Sequence, residues 1–391
     1  MVDHRETIIT TAGGLIPLLH QEEENSSRWS DPPVDVLELI LRRLGPIDHL
    51  RFGSICGSWR SARSLHRTRV DLPTPQLPWL MFGPSSSLPN GYRFEFFSLS
   101  DGRRYIISIP SRTPRQHSVI GSYANWLLTK ADHKIFLINP FTRTELTLPR
   151  IIGECEGNPY LSIAVSSHPR APYGAILVAN LIKASFFYLR HGDRRWLKFL
   201  LGRQDGKLCQ LVAVGGKFYA LTFQRRLVDI DLDRSPVAVV VNQDGSNLGN
   251  PYGTHAFLLE SDGDLLVVAM NCPNLYESTS FRIWRRNVET SSWVPMESIA
   301  DRILFLGPGS PISTSAREHG VAGGRIFTIG PDSPGIYDLR THRGEVFCSC
   351  MSSSRPTWIA PRLFYWEGRA GEKQWWDYAK VALKKVLRTL S

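Results

Sequence analysis

Two periodicities divide the chain. Between Trp29 and Arg63, in the run WSDPPVDVLELILRRLGPIDHLRFGSICGSWRSAR, apolar residues recur at three- and four-residue spacing, the period of an amphipathic helix. Leu37, Ile40, Leu41 and Leu44 form one stripe, and Phe52, Ile55, Cys56, Trp59 and Ala62 form a second. Ser30 or Asp31 is placed to cap the first helix, and Pro33 suits a first turn whose amide has no intrahelical acceptor. Gly45-Pro46 stops that helix. Two or three short helices are predicted. A unit of roughly 40 residues sits near the lower limit for burying enough apolar surface to offset chain entropy. Its surplus apolar face therefore calls for a cover, either the domain that follows or a partner.

Beyond residue 70 the pattern changes to short runs of Trp, Phe, Tyr, Val and Ile separated by Gly, Pro, Asp and Asn, which is how strands and turns are written. Six segments share one plan of strand, short polar turn and strand: 94–110, 135–149, 186–200, 227–241, 281–296 and 335–350. Equivalent positions recur roughly every 40 to 55 residues, in the range of propeller blades. Further strand candidates at Asn125 to Thr129, Lys217 to Thr222, Asp264 to Met270 and Arg325 to Ile329 bring each repeat to about four strands, as a blade requires. The predicted fold class is a small all-α module followed by an all-β propeller of about six blades. A two-sheet sandwich would leave the long period unexplained. Near the end, Trp376, Ala379, Leu383, Val386 and Leu390 make a stripe with Lys380, Lys384, Lys385 and Arg388 off it. This predicts an amphipathic helix over 372–390, packed on the propeller or serving a membrane surface or partner groove.

Composition narrows the class. Of 391 residues, 42% are hydrophobic and 21% charged, so the chain can build a sizeable core and is not predominantly disordered. The cysteines at 56, 155, 209, 272, 348 and 350 contain no CxxC pair; neither a disulfide framework nor a zinc module is expected, and a reducing compartment, cytoplasm or nucleus, fits. Residues 1–28 hold Gly13-Gly14 and Glu22 to Glu24 but no long apolar stretch, so a disordered tail is expected rather than a signal peptide or membrane span. The Asn25-Ser26-Ser27 sequon there reads as a chance match. A formal charge of +10 attracts acidic partners without choosing among nucleic acid, membrane and protein. Arginines scattered through strand segments, with no block of like charge, speak against nucleic acid.

Candidate chemistry is sparse. Asp229, Asp231 and Asp233 alternate like the start of a calcium loop, but Val240 stands at the twelfth position and no glycine supplies the sharp turn. Cys348 and Cys350 share one side of a strand and read as small apolar residues. No G-x-S-x-G elbow, H-E-x-x-H helix or phosphate-cradling loop occurs. No cofactor or metal is expected. A propeller hydrolase, with carboxylates from several blades meeting in the channel, is the enzyme alternative. Each of the six repeated segments also carries an arginine at its turn: Arg103, Arg143, Arg194, Arg234, Arg285 and Arg343, with Arg104, Arg195 and Arg286 beside them. On equivalent hairpins these would share one face, and guanidinium groups bind carboxylates and phosphates through paired hydrogen bonds. An acidic or phosphorylated stretch of a target is the expected ligand.

Two resemblances add to this reading. Trp29 to Arg60 resembles the F-box: Pro32-Pro33 stand at its Leu-Pro pair, Leu44 precedes the turn, and Cys56-Gly57-Ser58-Trp59-Arg60 matches its Cys-x-x-Trp-Arg ending. The resemblance implies docking on a Skp-type adaptor, and through it a cullin, by Pro33, Leu37, Ile40, Leu44, Leu50, Ile55, Cys56 and Trp59. Pro32 replaces the usual anchoring leucine, which bears on how tightly the adaptor is held. Secondly, Gly121-x-x-x-Asn125-Trp126-Leu127, Ile138-Asn139-Pro140-Phe141-Thr142, Phe218-Tyr219-Ala220-Leu221, and Trp293-Val294-Pro295 near Asp301-Arg302 with Leu304-Phe305-Leu306-Gly307 resemble the kelch-related KIB-type propeller of plant F-box proteins. That implies a non-catalytic substrate receptor of an SCF-type ubiquitin ligase, directed in some members at protein kinases. The expected organisation is a tail over 1–28, an F-box over 29–70, a propeller over 75–365 and a helix over 372–390. A non-ligase interaction scaffold is a further alternative.

Overall fold

The computed structural model describes residues 32–44, 48, 51–53, 55–62, 76–88, 91–110, 117–123, 126–131, 134–141, 144–151, 160–166, 175–190, 193–202, 206–232, 236–241, 248, 254–271, 279–307, 309–329, 334–346 and 356–361. The chain divides into two compact units, Met1–Pro73 and Thr74–Ser391. The expected tail over 1–28 and helix over 372–390 lie outside the described residues.

In the first unit the helix Val34–Leu41 begins at Pro33, whose carbonyl accepts from the Val36 and Leu37 amides at 3.0 and 3.2 Å. No side chain caps it; Ser30 and Asp31 lie outside the described residues. The helix closes earlier than the Gly45-Pro46 signal suggests. The Arg43 and Leu44 amides bond back three residues, to Ile40 and Leu41, the tight turn with which helices commonly end. Residues 57–62 are helical again. Leu37, Leu41, Phe52 and Ala62 make a small core, with Ile40, Leu44 and Trp59 packed at its edge.

The second unit contains six sheets. Blade 2 is Ser118–Tyr123, Trp126–Ala131, Lys134–Asn139 and Thr144–Arg150; blade 3 is Leu161–Val165, Ala175–Asn180, Ser185–Arg190 and Leu197–Leu200. Blade 4 is Leu208–Val214, Lys217–Thr222, Leu227–Asp231 and Val237–Val240; blade 5 is Thr254–Ser261, Asp264–Asn271, Ser280–Arg286 and Trp293–Met296. Each is antiparallel, in chain order from the inside out. Blade 1 joins Trp79–Leu88, Gly91–Ser98 and Arg104–Pro110 to an innermost strand from the far end of the chain, Thr357–Ile359. Blade 6 departs from four strands. Ile312–Ser315 turns back inside Arg302–Leu306, and the chain then adds Arg325–Ile329 parallel to Arg302–Leu306 on its other side, followed by Pro334–Asp338 and Arg343–Val346. All six repeated segments of the sequence prove to be the outer pair of strands of a blade.

The cores lie between blades. Leu177, Phe186, Leu211 and Val228 join blades 3 and 4; Leu128, Leu137, Ile163 and Val178 join 2 and 3; Leu259, Val268, Leu304 and Ile326 join 5 and 6. Between blades 4 and 5 stand Leu221, Leu258, Val267 and Trp284. Aromatic rings link blades 1 and 2, with Trp79 edge-on to Phe141 at 5.5 Å. Strands such as Ala175–Asn180 are buried along their whole length, because both faces of a blade are covered by neighbours. This is why alternation is weak in the sequence there.

Closure of the ring rests on Trp358. It packs edge-on to Phe305 at 5.1 Å and to Phe327 at 6.3 Å, and its indole donates to the Leu306 carbonyl at 3.0 Å. Leu80, Ile303 and Ile329 complete that core between blades 6 and 1. Trp358→Ala is expected to cost about 3–5 kcal/mol, as large-to-small changes of a buried tryptophan do, and to lower the midpoint of urea unfolding accordingly. An unchanged midpoint would mean that the last strand is not what closes the ring.

Candidate functional site

The residues expected to hold an adaptor do not share one surface. Leu37 is 0% exposed and belongs to the core of the helical unit, so its side chain is not offered to a partner. Ile40, Leu44 and Trp59 lie half-buried at the edge of that core. Cys56 is also half-buried, Pro33 and Ile55 are exposed, and Leu50 lies outside the described residues. The outward apolar groups are instead Val36 at 40%, Leu39 at 58% and Ile55 at 59% exposure, with Val34 at the start of the helix. Val36 and Leu39 stand one turn apart on the side of the helix away from Leu37 and Leu41. The signal was present in the octamer VDVLELIL, apolar at six of eight positions, which is too many for one stripe and marks a helix to be covered on two sides.

The arginines of the repeated hairpins are also sorted by the structure. Four antiparallel strands return the chain to the end at which it entered, so the outer turns of blades 1 to 5 share one face. Arg103 and Arg194 are exposed in such turns. Arg285 is not: it lies within Ser280–Arg286 and pairs with Asp264 at 3.5 Å. Arg343 is the first residue of the outermost strand of blade 6, opposite Asp338. Arg143 and Arg234 lie outside the described residues. Asp and Asn side chains accompany the arginines because these turns are built on them. Asp101 accepts from the Arg103 amide at 3.1 Å, Asn139 from Phe141 at 3.0 Å, Asn287 from Glu289 at 2.9 Å and Asp338 from Arg340 at 2.9 Å, the turn chemistry of Asp and Asn. Partial burial pushes the Asp101 carboxyl up, but hydrogen bonds from Tyr105, Ser98 and the Arg103 amide, with the Arg103 charge, bring it below its ordinary value. Hydrogen bonds from the Arg340 side chain and amide likewise lower Asp338. The face is therefore mixed in charge rather than uniformly basic.

The connection leading into Ile312–Ser315 crosses the centre of the ring. The Gly309 carbonyl accepts from Gln210 of blade 4 at 3.3 Å, and Ser310 donates to the Ile163 carbonyl of blade 3 at 3.4 Å. Ser313 and Ser261 of blade 5 bond at 2.7 Å. A methyl group on Gly309 would collide with Thr357 Oγ1 of blade 1 and stand 3.7 Å from Gly121 Cα of blade 2. One short crossing thus touches five blades. The six innermost strands contain a single carboxylate, Glu260, which is exposed and accepts from the Gly263 amide at 2.7 Å. Among the described residues no pair of carboxylates converges there for general acid–base work, and no cluster of metal-ligating side chains is found.

Comparison with known proteins decides the family. The model of the KIB1-4 beta-propeller matches residues 96–348, and that of the F-box domain matches residues 33–69. The chain belongs to the KIB1-4 β-propeller family. It is a plant-type F-box protein with a propeller. F-box protein SKIP23 of Arabidopsis thaliana is 23% identical over 348 residues, covering 74% of this chain and 80% of that protein. A probable F-box protein of the same plant is 28% identical over 400 residues, covering 87% and 97%. Among solved structures, a Lactobacillus plantarum protein aligns with 72% of this chain and 99% of its own at TM-score 0.41 and 11% identity.

For this KIB1-4 propeller the crossing sets a requirement at Gly309, where a Cβ would collide with Thr357. Gly309→Ala is expected to destabilise the propeller by about 1–3 kcal/mol, the cost of overpacking a tight site. Thr357→Ala, which removes the colliding hydroxyl, should recover part of that loss in the double variant. Strict additivity of the two changes in thermal unfolding would show that the residues do not meet.

Proposed function

We propose that the chain is the substrate-recognition subunit of an SCF-type ubiquitin ligase, with the F-box held by a Skp-type adaptor and the propeller presenting a target for modification. The observation that carries this reading is the helix Val34–Leu41, which closes its own core with Leu37 and Leu41 while exposing Val36 and Leu39. An outward apolar face on so small a unit is what an obligate docking module needs. The side chains assigned to the adaptor are Val36, Leu39 and Ile55, with Ile40, Leu44 and Trp59 at the margin, while Leu37 acts through the fold of the module. Pro32 is buried, so it supports the helix start instead of offering an anchor. No catalytic group is required of this chain, because the transfer chemistry belongs to its partners. The channel hydrolase is the weaker reading, since the ring's centre is occupied by Gly309 and Ser310. Cytoplasm or nucleus is the proposed location, on the grounds that the six cysteines contain no CxxC pair and suit a reducing compartment.

Leu39→Glu is expected to abolish co-purification with a Skp-type adaptor, a loss of about 2 kcal/mol or more for a central anchor, with the circular dichroism of the protein unchanged. Leu37→Ala should also reduce adaptor binding, but through loss of helical structure in the unit, since it removes about 2–5 kcal/mol of core packing. Adaptor binding unaffected by Leu39→Glu would overturn the assigned face. A parent protein that binds no Skp-type adaptor would overturn the ligase reading itself.

A further inference from the structure

The cations of this chain are unevenly divided. Of its 46 lysines and arginines only ten are lysines, and all ten lie within residues 130–217 and 373–385. Residues 1–129 and 218–372 hold arginines and no lysine. In sequence these are two separate stretches, but closure of the ring joins them. Thr357–Ile359 pairs with Trp79–Met81 and sets blade 1 against blade 6, so blades 5, 6 and 1 form one continuous lysine-free half of the propeller. The other half carries Lys130 and Lys134 in blade 2, Lys183 and Lys198 in blade 3, and Lys207 and Lys217 at blade 4; all but Lys130 are exposed. The lysines of 373–385 lie outside the described residues.

A chain-wide preference for arginine does not produce this division, because residues 130–217 hold seven arginines beside six lysines. Packing does not ask for it either. A guanidinium is used for its fork at Arg225, 2% exposed, where Nη2 donates to both the carbonyl and the hydroxyl of Thr254. The surface arginines of the lysine-free half need no such fork. Arg285 meets Asp264 through Nη1 at 3.5 Å and Arg340 meets Asp338 through Nη2 at 3.1 Å, with the arginine side chains 52% and 67% exposed. An ammonium can make such single contacts, which add little to stability at a surface. Arg103 and Arg343 are also exposed. Positive charge is therefore retained on blades 5, 6 and 1, and what is missing there is the amine.

The two cations differ in one reaction. A lysine side chain can release a proton to give a nucleophilic amine, whereas a guanidinium stays protonated. In ubiquitin transfer the amine attacks the carbonyl carbon of the ubiquitin thioester. A C–N bond forms, the C–S bond breaks, and the proton lost from nitrogen goes to the departing sulfur. A receptor held close to such a thioester is open to this attack through any lysine within reach.

We propose that blades 5, 6 and 1 are the flank of the propeller turned toward the ubiquitin donor, kept free of lysine so that ubiquitin passes to the bound target and not to the receptor. Blades 2 to 4, which keep their lysines, are the flank turned away. This rests on the receptor reading above and adds to it an orientation of the propeller within the ligase.

The test uses full-length protein assembled with a Skp-type adaptor, a cullin–RING core, activating and conjugating enzymes, ubiquitin and ATP. Mass spectrometry then locates ubiquitin remnants on each lysine of the receptor. Arg103→Lys, Arg285→Lys and Arg340→Lys combined place one amine on each blade of the lysine-free half, whereas Arg150→Lys, Arg194→Lys and Arg195→Lys combined place three on blades 2 and 3. Both variants preserve the parent's charge and should keep its thermal transition and its hold on the adaptor. Ubiquitin is expected on the lysines introduced into blades 1, 5 and 6, with a several-fold rise in the modified fraction. It is not expected on those introduced into blades 2 and 3, nor on Lys134, Lys183 or Lys198. The proposal is overturned if the first variant gains no ubiquitin at its new lysines, or if the lysines introduced into blades 2 and 3 are modified to the same extent. With the parent retained by the adaptor, either result leaves the ligase reading standing. A parent that the adaptor does not retain removes the ligase reading and this proposal with it.

Discussion

Every blade of this propeller depends on its two neighbours for burial, and so the whole ring depends on the one place where covalent continuity does not bring neighbours together. That place is the seam between blades 6 and 1, held by Thr357–Ile359 pairing with Trp79–Met81 and by Trp358 set among Phe305, Phe327 and Leu80. A blade alone would expose two apolar faces. Closed into a ring, the same faces become six interfaces and only the rims remain open. The crossing at Gly309 and Ser310 adds a second tie from the inside, reaching the innermost strands of four blades, and Ser313 adds the fifth.

The helical unit answers a different constraint. With a core of Leu37, Leu41, Phe52 and Ala62 and three half-buried side chains around it, it closes one side of its first helix and leaves the other side apolar. Such a module gains stability from being bound, because a partner that covers Val36, Leu39 and Ile55 binds only the folded form. On the proposed reading, coupling of folding to docking would let the same short sequence serve as both structure and address.

Much of the architecture could be read from residues alone. The six strand-turn-strand segments are legible because their outer strands keep turn chemistry at fixed offsets, with Asp101, Asn139, Asn287 and Asp338 each bonding an amide two residues on. The inner strands were harder, since burial on both faces erases alternation. The closing strand Thr357–Ile359 and the parallel pair in blade 6 join segments far apart in sequence, and no local pattern announces them. In the helix Val34–Leu41 a stripe at three- and four-residue spacing identifies a buried side without saying what buries it, and Leu37 faces the core of its own unit. Arg285 was placed in a turn because strand ends are not fixed by composition. Arg225 was not singled out at all. Its φ of +64° and 2% exposure, with Nη2 donating to the carbonyl and hydroxyl of Thr254 at 3.0 and 2.6 Å, make it a tie between blades 4 and 5, and nothing in an arginine after Thr-Phe-Gln signals burial.

On the proposed reading, the apolar face of the helix Val34–Leu41 is the address for a Skp-type adaptor. Hydrogen exchange of the full chain, followed by mass spectrometry with and without the adaptor, reads this directly. Strong protection is expected over residues 33–62 on adding adaptor, with unchanged exchange in the rim strands of the propeller. Unchanged exchange over residues 33–62 in the presence of saturating adaptor would contradict it.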